Sequence, residues 1–141
     1  MATYRARVAR RWPAEDVPVR PAAGGRDSDP ARVLAIEAER IRKHLPAGWQ
    51  TVALDESGER LTSAAFAGRL GELEGRGVAG VAFVVGSDLG LDRELAQDAV
   101  FRLSLSDMTL PHLVARLVFW EQLFRATAIL GGGGYHRDIV Q

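Results

Sequence analysis

Residues 103–137 read LSLSDMTLPHLVARLVFWEQLFRATAILGGGGYHR. The stretch opens as a strand: Phe101, Leu103 and Leu105 alternate with Arg102, Ser104 and Ser106, a period of two. Ser106-Asp107-Met108-Thr109 breaks the alternation. Pro111 suits the first turn of a helix, where its missing N–H costs nothing, and Thr109 is the expected N-cap. The helix that follows carries Leu113, Leu117, Trp120 and Phe124 on one face, while Val114, Val118 and Phe119 cover much of the rest. In a chain of 141 residues, a helix apolar nearly all round predicts an interface with a second copy. Its polar exceptions are Arg116, Glu121, Gln122 and Arg125, of which Glu121 and Arg125 stand one turn apart and are spaced to pair.

Upstream of this stretch, helix and strand patterns alternate. Tyr4, Val8 and Trp12 predict a helix over 3–12, closed by Pro13. Residues 16–20, DVPVR, read as an edge strand because Pro18 cannot donate to a ladder. Residues 21–29 are a loop by composition. Asp29-Pro30 starts a helix whose stripe is Leu34, Ala38, Ile41 and Leu45, ended by Pro46 and Gly48. Residues 49–54 form a strand closed by Asp55 and a Ser57-Gly58 turn. Thr62 or Ser63 caps a helix with Phe66, Leu70 and Leu73 inward, ended by Gly75 and Gly77. Residues 78–85, VAGVAFVV, are apolar on both faces, the pattern of a central parallel strand. They run into Gly86-Ser87-Asp88-Leu89-Gly90, and a short helix over 92–99 leads back to Phe101.

Such an order predicts a single α/β domain over 1–141 with a mainly parallel sheet flanked by helices. Three strands end in loops of special composition: Leu54-Asp55, Gly86-Ser87 and residues 104–110. If those strands are neighbours, their loops meet at one sheet edge, which is where open α/β sheets bind ligands.

Composition narrows the function. The chain is 47% hydrophobic with balanced charge, hence globular. It has no cysteine, so it holds neither disulfides nor thiolate metal sites, and the scattered His44, His112 and His136 do not predict a zinc site. The longest apolar run, 81–85, is too short to span a bilayer, and no secretory apolar region follows Met1; a soluble cytoplasmic protein is expected. Zero net charge argues against general nucleic-acid affinity. Arg5, Arg7, Arg10 and Arg11 nonetheless precede the first acid, Glu15. That run reads either as a solvated helix face or as a local phosphate contact.

The run from Leu103 to His112, the helix bearing Arg116, Glu121-Gln122 and Arg125, and the terminal Tyr135-His136-Arg137 resemble the RlmH family, the SPOUT-class methyltransferases of N3 of a pseudouridine in large-subunit (23S) rRNA. The resemblance implies an S-adenosylmethionine-dependent homodimer with a C-terminal trefoil knot, acting on rRNA within the assembled ribosome. It weakens toward the N-terminus. The family opens on an apolar strand and a Gly-Lys turn, whereas here TYRARVARRW follows the first residues, so that strand is expected to be missing. The chain also has Ser87 where the family has a second glycine, and Gly134 where it has proline.

What the resemblance implies can be placed residue by residue. The cofactor is held by Leu54, Gly86 and the loop Leu105, Ser106, Asp107, Met108, Thr109 and Leu110. Turn backbones there can read an adenine edge, and Leu54, Met108 and Leu110 supply apolar walls. Tyr135, His136 and Arg137 take the target base: tyrosine stacks, arginine binds phosphate, and histidine can accept a proton near neutral pH. Arg125 joins His136 and Tyr135 as a catalytic candidate. The alternatives are a non-catalytic RNA- or ribosome-binding relative and a SPOUT enzyme acting on another RNA.

Overall fold

The computed structural model describes residues 1–20, 22, 29–87 and 89–132. Three strands, β1 (Gln50–Arg60), β2 (Val81–Val85) and β3 (Phe101–Ser104), form one parallel sheet in the order β2–β1–β3. Parallel strands need crossover connections, and the sequence supplies them as the helical patterns between the strands. The α/β expectation therefore holds, but the expected strand order does not. Residues 78–85 were expected at the centre, but β1 is the central strand and β2 lies at an edge of the three. Of the residues of β2 only Val84 is fully buried; the others are half-buried. An apolar run reports what the side chains face, not which edges carry ladder hydrogen bonds.

The chain divides into two compact units. The sheet unit comprises Val17–Arg60 and Val78–Asp107. Its helices are α2 (Pro30–His44) and α4 (Arg93–Gln97). Both start as their sequences predict: the Asp29 carboxylate accepts from the Ala31 N–H at 3.1 Å, and that of Asp92 from the Leu95 N–H at 3.1 Å. Ala53 of β1, Val84 of β2 and Ala96 of α4 form a core cluster, with Ile41, Leu45, Leu91 and Ala99 packed against it. Of the expected stripe of α2, Ala38 is buried and Leu34, Ile41 and Leu45 are half-buried, while Val33 and Glu37 are buried beside them, so the inward side also contains a carboxylate. Residues 16–20 form no strand. Pro18 has no N–H to give to a ladder, and the Arg20 carbonyl accepts instead from Arg40 Nη1 at 3.0 Å.

The helical unit comprises Met1–Asp16, Leu61–Gly77 and the chain from Met108 onward, with helices α1 (Ala2–Val8), α3 (Ser63–Gly75) and α5 (His112–Leu130). Helix α3 is as read: Thr62 caps it through its Oγ1, which accepts from the Ala65 N–H at 3.0 Å, and Phe66, Leu70 and Leu73 are buried. Helix α1 is shorter than expected and gives way to turns after Val8. Beyond it, Arg11 Nη2 and Trp12 Nε1 donate to the Glu74 carboxylate at 2.7 and 2.6 Å. Those donors, Arg11 first, hold the Glu74 carboxyl below its ordinary value of 4.5. Tyr4 lies against Phe124 of α5 with ring centroids 6.0 Å apart, and Val8 is fully buried.

Helix α5 departs from its sequence reading in two ways. Pro111 is itself the N-cap, and no side chain caps the helix, so Thr109 does not serve as expected. A residue preceding proline is pushed toward extended backbone, which bars the helix from starting earlier. Burial is also divided along its length rather than around it. Phe119, Trp120, Leu123 and Ala126 are buried, while Leu113 is 70% exposed and Val114 and Leu117 are exposed.

Candidate functional site

The register of the sheet aligns the carboxyl ends of its three strands. Leu54 pairs with Val85 of β2 and with Leu103 of β3. The segments that leave those strands, Asp55 onward, Gly86-Ser87 and Leu105–Asp107, therefore start side by side along one sheet edge. That juxtaposition is what the three loop compositions predict. Leu54, Gly86, Leu105 and Ser106 are half-buried, and Asp107 is exposed.

The exit from β1 is not a simple end. Residues 55–58 bulge out, and the strand resumes with Glu59 opposite Leu103 and Arg60 opposite Ser104. Asp55 shapes the bulge: its Oδ1 accepts from the Ser57 N–H at 3.1 Å and its Oδ2 from Ser57 Oγ at 3.0 Å. Gly58 lets the returning chain lie against β3, since a Cβ there would stand 2.7 Å from the Arg102 carbonyl carbon. The sequence reading had ended the strand at Asp55. The Asp-x-Ser-Gly turn signal was real, but it marks a bulge within the strand.

The exit from β2 folds back on itself. The Gly90 N–H donates to the Ser87 carbonyl at 2.8 Å, and Ser87 and Gly90 form an antiparallel bridge. A Cβ on Gly86 would collide with the Gly90 carbonyl, and Gly90 has a φ of +92°. Both glycines are thus required by the turn itself, and the main chain at Gly86 is left without a side chain of its own. Ser87 Oγ donates to Glu37 Oε1 of α2 at 2.8 Å. Glu37 Oε2 accepts from the Ala22 N–H at 3.1 Å. Sequence reading missed Glu37, because a glutamate on a helix reads as solvated surface.

The exit from β3 is shaped by Ser104. It is buried, and its Oγ donates to the Ser106 carbonyl at 3.0 Å, bending the chain immediately after the strand. Asp107 forms an ion pair with Arg60 at the end of β1, so the bulged strand and this loop are joined at their tips. The chain continues into Met108, Thr109 and Leu110, which belong to the helical unit; Met108 and Thr109 are exposed and Leu110 is half-buried.

Arg125 lies in the helical unit, with a side chain 8% exposed. Its Nε and Nη2 donate to Glu121 Oε1 at 3.1 and 2.6 Å, the pairing that the one-turn spacing predicts. Gln122 Nε2 donates to the second Glu121 oxygen at 2.8 Å, and Gln122 Oε1 accepts from Ser63 Oγ of α3 at 2.6 Å. Arg125, Glu121 and Gln122 thus form one chain of hydrogen bonds linking α5 to α3. Arg116 pairs with Asp16. Tyr135, His136 and Arg137 lie outside the described residues, as does Gly134.

The site can offer backbone donors and acceptors at strand ends, apolar surface from Leu54 and Leu105, and serine hydroxyls. Among the described residues no group of His, Asp and Glu is arranged to hold a metal ion, and no helix is long and apolar enough to cross a membrane.

A family model described as "Predicted SPOUT methyltransferase" matches residues 1–136. The ribosomal RNA large subunit methyltransferase H of Dechloromonas aromatica (strain RCB) is 41% identical over 139 residues, covering 97% of this chain and 86% of the relative. The protein of that name from Prochlorococcus marinus (strain MIT 9313) is 50% identical over 102 residues, 72% of this chain and 69% of the relative. The one from Acetivibrio thermocellus is 46% identical over 101 residues, 72% of this chain; the match spans 64% of that relative's length, just under two thirds. The chain belongs to the SPOUT methyltransferase family and, within it, to the RlmH family.

Proposed function

We propose that this protein is an S-adenosylmethionine-dependent methyltransferase acting on N3 of a pseudouridine in large-subunit rRNA within the assembled ribosome. It works in the cytoplasm as a homodimer, as one domain with its C-terminal segment threaded in a trefoil knot. One observation carries the reading: in a chain of a methyltransferase family, the register of Leu54 with Val85 and Leu103 brings three strand exits to one edge. The names of the relatives supply the substrate class.

The residues present fit the donor. Main-chain groups at Leu54, Gly86 and Leu105–Asp107 suit the edge of an adenine, and Leu54 and Leu105 suit its faces; the family resemblance assigns Met108, Thr109 and Leu110 to the donor as well. Ser106 adds a hydroxyl, and Gly86 is the glycine that the turn after β2 requires. When bound, S-adenosylmethionine supplies an electrophilic methyl group. The remaining work belongs to the protein. The acceptor nitrogen of the imide must lose its proton and be held in line. Tyr135 stacks on the base, Arg137 holds an adjacent phosphate, and His136 takes the N3 proton. Arg125 completes the set from α5, where Glu121 fixes its guanidinium on the helix that leads into the tail.

The test is transfer of labelled methyl from S-adenosylmethionine to intact ribosomes, to free rRNA and to tRNA, with the product nucleoside identified by mass spectrometry. The expected product is N3-methylpseudouridine in the large-subunit rRNA of ribosomes. Label in tRNA alone would overturn the substrate assignment. No transfer to any RNA, with the cofactor demonstrably bound, would overturn the activity.

A further inference from the structure

We propose that Glu37 is a positioning residue for the methyl donor, acting through Ser87 to hold the Gly86–Gly90 turn in its binding-competent form. The inference rests on the donor-site reading above and adds to it a residue on α2 that is remote from the three strand exits in sequence.

The turn after β2 has two kinds of restraint. One is internal: the Gly90 N–H donates to the Ser87 carbonyl at 2.8 Å, and the Leu89 N–H approaches Ser87 Oγ at 3.4 Å. The other is external, and Ser87 Oγ provides it by donating its proton to Glu37 Oε1 at 2.8 Å. A hydroxyl that accepts from its own turn and donates to a carboxylate joins the two restraints at one oxygen. Glu37 is 8% exposed, so its carboxylate has left water and depends on protein donors. Its second oxygen accepts from the Ala22 N–H at 3.1 Å. The helix that carries it is seated by the buried Val33 and Ala38. A charged acceptor makes a stronger and more directional bond than a neutral one. The rigid partner is thus the helix, and the turn is what it positions. Burying a carboxylate is a costly way to secure a surface turn; it becomes intelligible if the main chain at Gly86 must be placed accurately beside Leu54.

The experiment measures S-adenosylmethionine affinity by calorimetry for the wild type, Ser87→Ala, Glu37→Ala, Glu37→Gln and the Ser87→Ala/Glu37→Ala double variant, with melting temperature and amide exchange at Leu89 and Gly90 alongside. Loss of the charged hydrogen bond is expected to raise Kd about tenfold in Ser87→Ala and in Glu37→Ala, and to speed exchange at both amides. The double variant is expected to bind no more weakly than the weaker single variant, because both remove one interaction. Glu37→Gln keeps an acceptor for Ser87 and is expected to recover most of the affinity. If Glu37→Ala does not fold, Ser87→Ala, altered only at a half-buried turn, carries the test. A wild type that binds with folded variants of unchanged Kd overturns this inference alone, even if they melt lower. Additive losses in the double variant also overturn it. A folded wild type that binds no S-adenosylmethionine overturns the donor-site reading together with this inference.

Discussion

Gly86 is where a single atom decides most. A methyl group added there would meet the Gly90 carbonyl, which is backbone and cannot swing away. Gly86→Ala is therefore expected to cost at least about 2 kcal/mol, seen as a melting temperature lower by several degrees, and to abolish cofactor binding. The sequence pointed to Gly86 because a glycine turn after an apolar strand is a recognisable signal. It did not point to Glu37 or Ser104, whose importance comes from burial, and burial depends on contacts distant in the chain. Glu74 is a second case. Its carboxyl titrates low because Arg11 and Trp12 donate to it, so the stabilisation is present above the unfolded-state value of 4.5 and is lost as pH falls through the lower folded value. The melting temperatures of the wild type and Glu74→Gln are expected to differ by a constant amount near neutral pH and to converge as the pH falls below the unfolded-state value of 4.5. A difference that does not change across that range would contradict the assignment.

Helix α5 was readable in extent and in the pairing of Glu121 with Arg125, but not in which part would be buried. Periodicity reports faces, whereas here the distinction runs from one end of the helix to the other. The Glu121–Arg125 pair should behave as a buried ion pair. Arg125→Met alone is expected to destabilise by about 3–5 kcal/mol, because it leaves the Glu121 charge with too few donors, and Glu121→Leu/Arg125→Met to recover much of that loss. Denaturant melts of the two singles and the double give the coupling directly; additive losses would contradict a shared interaction. Strand β1 offers the converse lesson. Asp55, Ser57 and Gly58 read as a turn that closes the strand, yet they lie in a bulge within β1, which pairs again with β3 from Glu59. Strand pairing is a long-range choice, and local turn chemistry cannot announce whether a strand ends or only bulges. The edge position of β2 was hidden for the same reason.

For the protein as a whole, the α/β class followed from the alternation of patterns, and the meeting of the strand exits followed from the order of the strands. A partner subunit is a further step, argued from the exposed Leu113, Val114 and Leu117 on α5. Sedimentation of the wild type as a dimer, and of Leu113→Lys/Leu117→Lys as a folded monomer, is the expected result; a wild-type monomer would contradict it. If the tail of one subunit serves the other's donor site, mixing Gly86→Ala with Tyr135→Ala subunits restores part of the activity that each lacks. All of this depends on where S-adenosylmethionine sits. Titrating it into the isotope-labelled protein while following backbone amide resonances locates it directly. The largest shifts are expected at Leu54–Asp55, Gly86–Ser87 and Leu105–Asp107 together; shifts confined to other parts of the chain would contradict the account.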